Sequence, residues 1–187
     1  MQFNCIIIGD EAVGKTTYIT RFTSGEFISD YHPTVHPVIT NLRLKTNKGV
    51  INFNIFENFG PQHVDCAIIM FDVNSPDFLP NLLTYHRYLL KTYGNIPFVI
   101  AGNKCDKVNV NHNCKRISRL LIDNGNLHKN YYTISAKSNY NFDKPFLFLC
   151  EKLLNDGPIT HENLDQDDFD FYNILPLPII TLPIKAS

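Results

Sequence analysis

The chain predicts an α/β fold: a mostly parallel sheet of six strands, with one antiparallel hairpin at its edge and helices on both faces. Three observations carry this. Short β-branched runs alternate with longer amphipathic ones. Strand and helix in alternation imply parallel strands buried on both sides. A chain of 187 residues, 44% apolar and 19% charged, has the balance of one domain with a full core.

The elements follow in order. Phe3 to Ile8 is an apolar strand ending at a glycine, and Lys15 to Thr23 has helical periodicity. Val38 to Lys45 and Val50 to Phe56 flank Thr46-Asn47-Lys48-Gly49 and read as a hairpin. Then come a strand at Ala67 to Val73, a helix around Pro80 to Tyr93, a strand at Phe98 to Ala101 and a helix around Lys115 to Asn124. A strand at Tyr132 to Ile134 and a helix from Lys144 to Leu154 close the pattern. Residues 1–156 therefore form the domain. Beyond it an acidic stretch (Glu162, Asp165, Asp167, Asp168, Asp170) precedes a proline-punctuated apolar end, so 157–187 is expected to be a flexible, solvated tail.

The connection from Glu57 to Asp65 is short for a parallel crossover, which usually takes a dozen residues or more. At about 3.3 Å per extended residue it reaches roughly 30 Å. A full strand's return of about 17–20 Å and a sideways step of about 10 Å would leave it nearly extended. No helix is expected there.

Seventeen basic residues against eighteen acidic ones give a net charge of −1, too little to draw the chain to nucleic acid or an anionic membrane. The five cysteines are scattered and form no Cys-x-x-Cys pair, which fits a reducing compartment rather than a disulfide framework. The amino end lacks the pattern of a secretory leader and both ends lack lipidation signals; prolines break the apolar end. A soluble, non-secreted monomer without a membrane anchor is the expectation.

Gly9-Asp10-Glu11-Ala12-Val13-Gly14-Lys15-Thr16 matches G-x-x-x-x-G-K-[ST] between a strand and a helix, the context this phosphate-binding motif requires. Glycines let backbone N–H groups turn inward toward phosphate oxygens, and the helix dipole adds positive potential. Lys15 would bridge the outer phosphates and Thr16 would place its hydroxyl on Mg²⁺. Asn103-Lys104-Cys105-Asp106 follows the next parallel strand but one and falls at the same sheet edge. A carboxylate at Asp106 can accept two N–H bonds from guanine, whereas adenine leaves it unpaired. Such a lost bond discriminates by about 10⁴ or more. Ser135-Ala136-Lys137 completes this second loop group.

These motifs resemble those of the Ras-like small GTPases, which are P-loop NTPases. Gly25-Glu26-Phe27, Cys66 to Val73 and Ile134 to Phe142 are similar to the Ran family of nuclear transport GTPases. The resemblance covers roughly residues 2–154. It implies GTP or GDP with Mg²⁺ bound by Glu11, Ala12, Val13, Gly14, Lys15, Thr16, Thr17, Phe27, Thr34, Gly60, Asn103, Lys104, Asp106, Ser135, Ala136 and Lys137. Phe27 would pack on the guanine edge, Lys104 would lie over the ring and Ala136 would offer its N–H to the base oxygen. Thr16, Thr34 and Glu57 would face the metal. It also implies contact with nuclear transport receptors or regulators and residence in nucleus and cytoplasm.

The second switch departs from the family pattern Asp-x-Ala-Gly-Gln: here it reads Glu57-Asn58-Phe59-Gly60-Pro61. Pro61 stands where a glutamine orients the attacking water, and it has no polar side chain to do so. Glu11 puts a carboxylate beside the outer phosphate. Very slow hydrolysis is expected, with switch partners bound poorly. The alternative is a binding module or decoy that occupies transport factors regardless of nucleotide. His32 and His36 are four apart, but Pro33 and Pro37 forbid the helix that would pair them, so they read as a solvated loop.

Overall fold

The computed structural model describes residues 1–27, 38–107, 110–125, 127–155, 157 and 159–160. The strands are β1 (Gln2–Ile8), β2 (Ile39–Thr46), β3 (Gly49–Glu57), β4 (Cys66–Asp72), β5 (Phe98–Asn103) and β6 (Tyr131–Thr133). The helices are α1 (Lys15–Ser24), α2 (Phe78–Tyr93), α3 (Val110–Asp123) and α4 (Lys144–Leu154). They form one six-stranded sheet in the order β2-β3-β1-β4-β5-β6. Only β2 and β3 pair antiparallel; the other neighbours are parallel. The expected α/β architecture and edge hairpin are therefore present.

Two elements differ from expectation. Helix α3 starts at Val110 rather than near Lys115, because Asn111-His112-Asn113 supplies no apolar period by which to recognise it. A short 3-10 turn, Leu127–Asn130, precedes β6.

The sheet separates two cores. On one face Tyr18, Ile19 and Phe22 of α1 and Phe146, Leu149 and Cys150 of α4 meet Ile7, Phe53, Ile55, Ile68 and Val99. Tyr18 and Phe146 stack with ring centroids 5.9 Å apart, and Phe22 lies edge-on to Phe146 at 5.0 Å. On the other face Phe78, Leu82 and Leu89 of α2 and Ile117 and Leu121 of α3 cover Ile6, Ile8, Ile69, Phe71 and Ile100.

No residue of β2 or β3 joins this second core. The reason lies between β3 and β4: residues 58–65 contain no helix, so among the described residues no helix covers that part of the sheet. The chain instead places amides there. The Gln2 side chain donates to Asn54 Oδ1 (3.0 Å), and Asn54 donates to Asn4 Oδ1 (3.0 Å).

The link itself is not stretched as expected. Glu57 pairs with Ile7 and Cys66 with Cys5, so the chain returns by two positions along β1, about 7 Å, rather than a full strand length. The stagger of the strands leaves slack. The Asn58 N–H donates to the Ile7 carbonyl (2.9 Å) and the Asp65 N–H to the Asn4 carbonyl (2.8 Å), pinning both ends to β1. Between them Val64 is buried in the second core.

Beyond the expected boundary at 156, Ile159 is 3% exposed and joins the first core. Its N–H donates to Glu151 (3.1 Å), while Thr160 and Asn47 exchange bonds of 3.1 and 3.2 Å. No helix among the described residues is long and apolar enough to cross a membrane.

Candidate nucleotide-binding site

The phosphate loop leaves β1 at Gly9, where φ is 152° and a Cβ would lie 2.0 Å from the Met70 carbonyl oxygen. Only glycine allows that approach. Gly14 stands at the start of α1 with φ 96°, and a Cβ there would meet Asn103 Nδ2 at 2.6 Å. Ala12 between them takes a left-handed φ of 57°, a local strain of the kind that gathers at functional loops.

The Lys15 ammonium is buried within the loop and donates to the carbonyls of Gly9 (2.7 Å) and Asp10 (2.6 Å). Burial pulls its pKa down, against the opposing pull of Glu57, Asp10 and Glu11. Glu57, at the end of β3, is 3% exposed. Burial raises its carboxyl, and the Thr16 bond and Lys15 only partly offset that. Thr16 Oγ1 donates to Glu57 Oε2 at 2.6 Å, joining the start of α1 to the end of β3. A hydroxyl and a carboxylate side by side are hard oxygen donors, the set that Mg²⁺ takes together with phosphate oxygens. Among the described residues no cluster of three or more His, Cys, Asp or Glu converges.

The second loop group is tied to the first. Asn103 Nδ2 donates to the Val13 carbonyl (2.9 Å), and its Oδ1 accepts the Ala136 N–H (3.1 Å). Lys104, with φ 64°, donates to the Ala12 carbonyl (2.6 Å) and pairs with Asp72 (3.0 Å). Ser135 Oγ donates to Asp106 Oδ1 at 2.6 Å and accepts the Ser138 N–H at 3.0 Å, which fixes the carboxylate in an otherwise exposed position. Lys137 is exposed beside it and Thr17 is half-buried in the first turn of α1.

Glu11, Ala12, Val13, Gly14, Lys15, Thr16, Glu57, Asn103, Lys104, Asp106, Ser135 and Ala136 thus fall in one linked group of loops. Phe27 is 37% exposed at the last described position before 28–37. Thr34, His32 and His36 lie outside the described residues. Gly60 sits against the second core: a Cβ there would come 2.8 Å from the Tyr93 hydroxyl and 3.2 Å from Ile6. Pro61 follows it, half-buried.

Sequence reasoning missed the wall opposite the loop. A cavity of about 530 Å³ is lined by Gly9, Glu11, Lys15 and Asn58 on one side and Thr84, Tyr85 and Tyr88 of α2 on the other. Asn81 Nδ2 donates to Asp10 Oδ2 (2.8 Å) and the Tyr85 hydroxyl to Asp10 Oδ1 (3.0 Å). The visible signal was the four-residue spacing of Asn81 and Tyr85 on one helix face.

The strand order, the glycine-built loop after β1 and the cross-linked loops after β5 and β6 define a P-loop protein with the small GTPase fold. The chain matches the family model "Ras family" over residues 4–155 and belongs to that family; it is a small GTP-binding protein.

Proposed function

We propose that the protein binds GTP and GDP with Mg²⁺ in the manner of the Ran-like GTPases and hydrolyses GTP very slowly. The observation that carries the binding half is Asn103, whose amide bonds the phosphate loop at Val13 and the base loop at Ala136 at once. In this reading Lys15 leaves its two carbonyls for the outer phosphates. Thr16 and Glu57 hold the ion, with Thr34 facing it from the first switch. When bound, the ion neutralises charge on the β- and γ-phosphate oxygens. Asp106, held by Ser135, accepts the guanine N–H groups. Ala136 offers its N–H to the base oxygen, and Lys104 and Phe27 flank the ring.

The slow hydrolysis rests on two residues. Pro61 has no group that can orient a water, and Glu11, exposed on the cavity side of the loop, places a carboxylate beside the outer phosphate. Denaturing freshly purified protein and identifying the released nucleotide tests both halves. GTP is the expected product; GDP would contradict the hydrolysis reading, and no guanine nucleotide would contradict the binding. A Pro61→Gln variant should then hydrolyse faster in single turnover, and equal rates would clear Pro61 as the cause.

A second reading is favoured by the absence of a helix at residues 58–65, a surface that switch partners would grip. The chain would then act as a decoy for nuclear transport factors in nucleus and cytoplasm. Equal capture of those factors by GTP-loaded, GDP-loaded and Asp106→Ala protein would support it; capture by the GTP form alone would exclude it.

A further inference from the structure

We infer that Asn81 and Tyr85 of α2 are positioning residues for the nucleotide, acting through Asp10 of the phosphate loop. The inference rests on the reading of that loop as a phosphate site and extends it to a helix outside the family's motifs. Both carboxylate oxygens of Asp10 are held, one by each side chain, at 2.8 and 3.0 Å. The two donors are four residues apart on one face of α2, so a single rigid helix presents both.

What they hold is a working part of the loop. The carbonyl of Asp10 accepts the Lys15 ammonium at 2.6 Å, directly after the strained turn at Gly9. A side chain fixed at Asp10 therefore fixes the backbone that parks Lys15, and with it the hollow into which Lys15 must swing. The Tyr85 hydroxyl remains a donor at neutral pH, since burial and the Asp10 carboxylate push it up to about 12. Tyr85 also lines the cavity beside Glu11 and Lys15, so the clamp stands at the outer-phosphate end of the loop rather than at the base. Among the described residues, 58–65 hold no helix, and α2 walls this end through Thr84, Tyr85 and Tyr88.

The test is the dissociation rate of fluorescent GDP and of a fluorescent non-hydrolysable GTP analogue from the full chain in Mg²⁺ buffer. Asn81→Ala and Tyr85→Phe should each speed release by roughly tenfold, the worth of one hydrogen bond to a charged group at a partly exposed site. Asn81→Gln, which keeps an amide donor, should recover most of the loss. Asp10→Ala should release at least as fast as either variant, and Asp10→Ala with Tyr85→Phe no faster than Asp10→Ala alone. A purely structural contact would lower the melting temperature, leave release rates unchanged below it and show no such coupling. Release at the wild-type rate from both α2 variants, or effects that multiply in the double variant, would overturn the inference alone. A wild-type chain that binds neither nucleotide would overturn the site reading and this inference with it.

Discussion

Burial alone would push the Asp72 carboxyl up, yet the N–H of Asn74, the Lys104 ammonium and the Asn74 amide together hold it below its ordinary value. A carboxyl whose pKa is depressed by folding adds stability above its unfolded pKa of about 3.9 and loses it as pH falls through the folded value. Asp72→Asn should therefore be less stable than wild type in urea at about pH 6, with the gap closing by about pH 2. A gap that is the same at both pH values would mean that the charge is not its source. The pair also matters for the site, because Lys104 reaches the Ala12 carbonyl from the same position. Gly9 makes the opposite kind of demand. A Cβ 2.0 Å from a backbone oxygen cannot be accommodated by a side-chain shift, so Gly9→Ala should lose at least about 2 kcal/mol in equilibrium unfolding. The places of Gly9, Lys15 and Asn103 in the linked loops were legible because these residues lie in contiguous motifs. Asp72, Asn81 and Tyr85 were not, because their partners are distant in the chain: Asp72 meets Lys104, and Asn81 and Tyr85 meet Asp10 across 71 and 75 positions. A four-residue spacing groups the two donors on one helix face but does not name their target.

The segment between β3 and β4 shows what sequence length can and cannot fix. Its shortness correctly excluded a helix, but its path depended on strand stagger, which only the pairings Ile7 with Glu57 and Cys5 with Cys66 reveal. Because Val64 anchors this link in the second core, Val64→Ala should cost roughly 1–2.5 kcal/mol. Gln62→Ala and His63→Ala, at exposed positions, should stay within about 0.5 kcal/mol of wild type. Thermal melts of the three variants would decide whether the link is held by that one side chain. An equal loss at Gln62 would show that it is held elsewhere. The polar face of β3 was legible in principle. Asn52 and Asn54 alternate with buried Ile51, Phe53 and Ile55, the pattern of a strand with one dry and one wet face. Helix α3, by contrast, opens on polar residues, and its first turns could not be seen in an apolar period.

At the scale of the molecule, the sheet has a working end and a closing end. The candidate nucleotide loops follow the carboxyl ends of β1, β5 and β6, whereas the β2–β3 turn lies beyond the amino end of β1, where Gln2 pairs with Asn52. Thr160 joins that turn through Asn47, and Ile159 closes the first core between the turn and α4, at Glu151. Sequence placed the boundary at 156 because the alternation of strand and helix stops after Leu154 and an acidic stretch follows, and a lone isoleucine has no period to betray its burial. If the closing residues serve stability only, their loss should leave the working end untouched. Ile159→Ala in the full chain should cost about 2–4 kcal/mol in urea unfolding, by lost burial and the cavity left behind. Asn47→Ala should cost about 1 kcal/mol or less, since only one partly exposed hydrogen bond is removed. Neither variant should change the nucleotide release rate below its melting temperature. An unchanged stability in Ile159→Ala would return the boundary to 156. A faster nucleotide release would mean instead that strain at the hairpin travels along β3 to Glu57, the residue that holds Thr16.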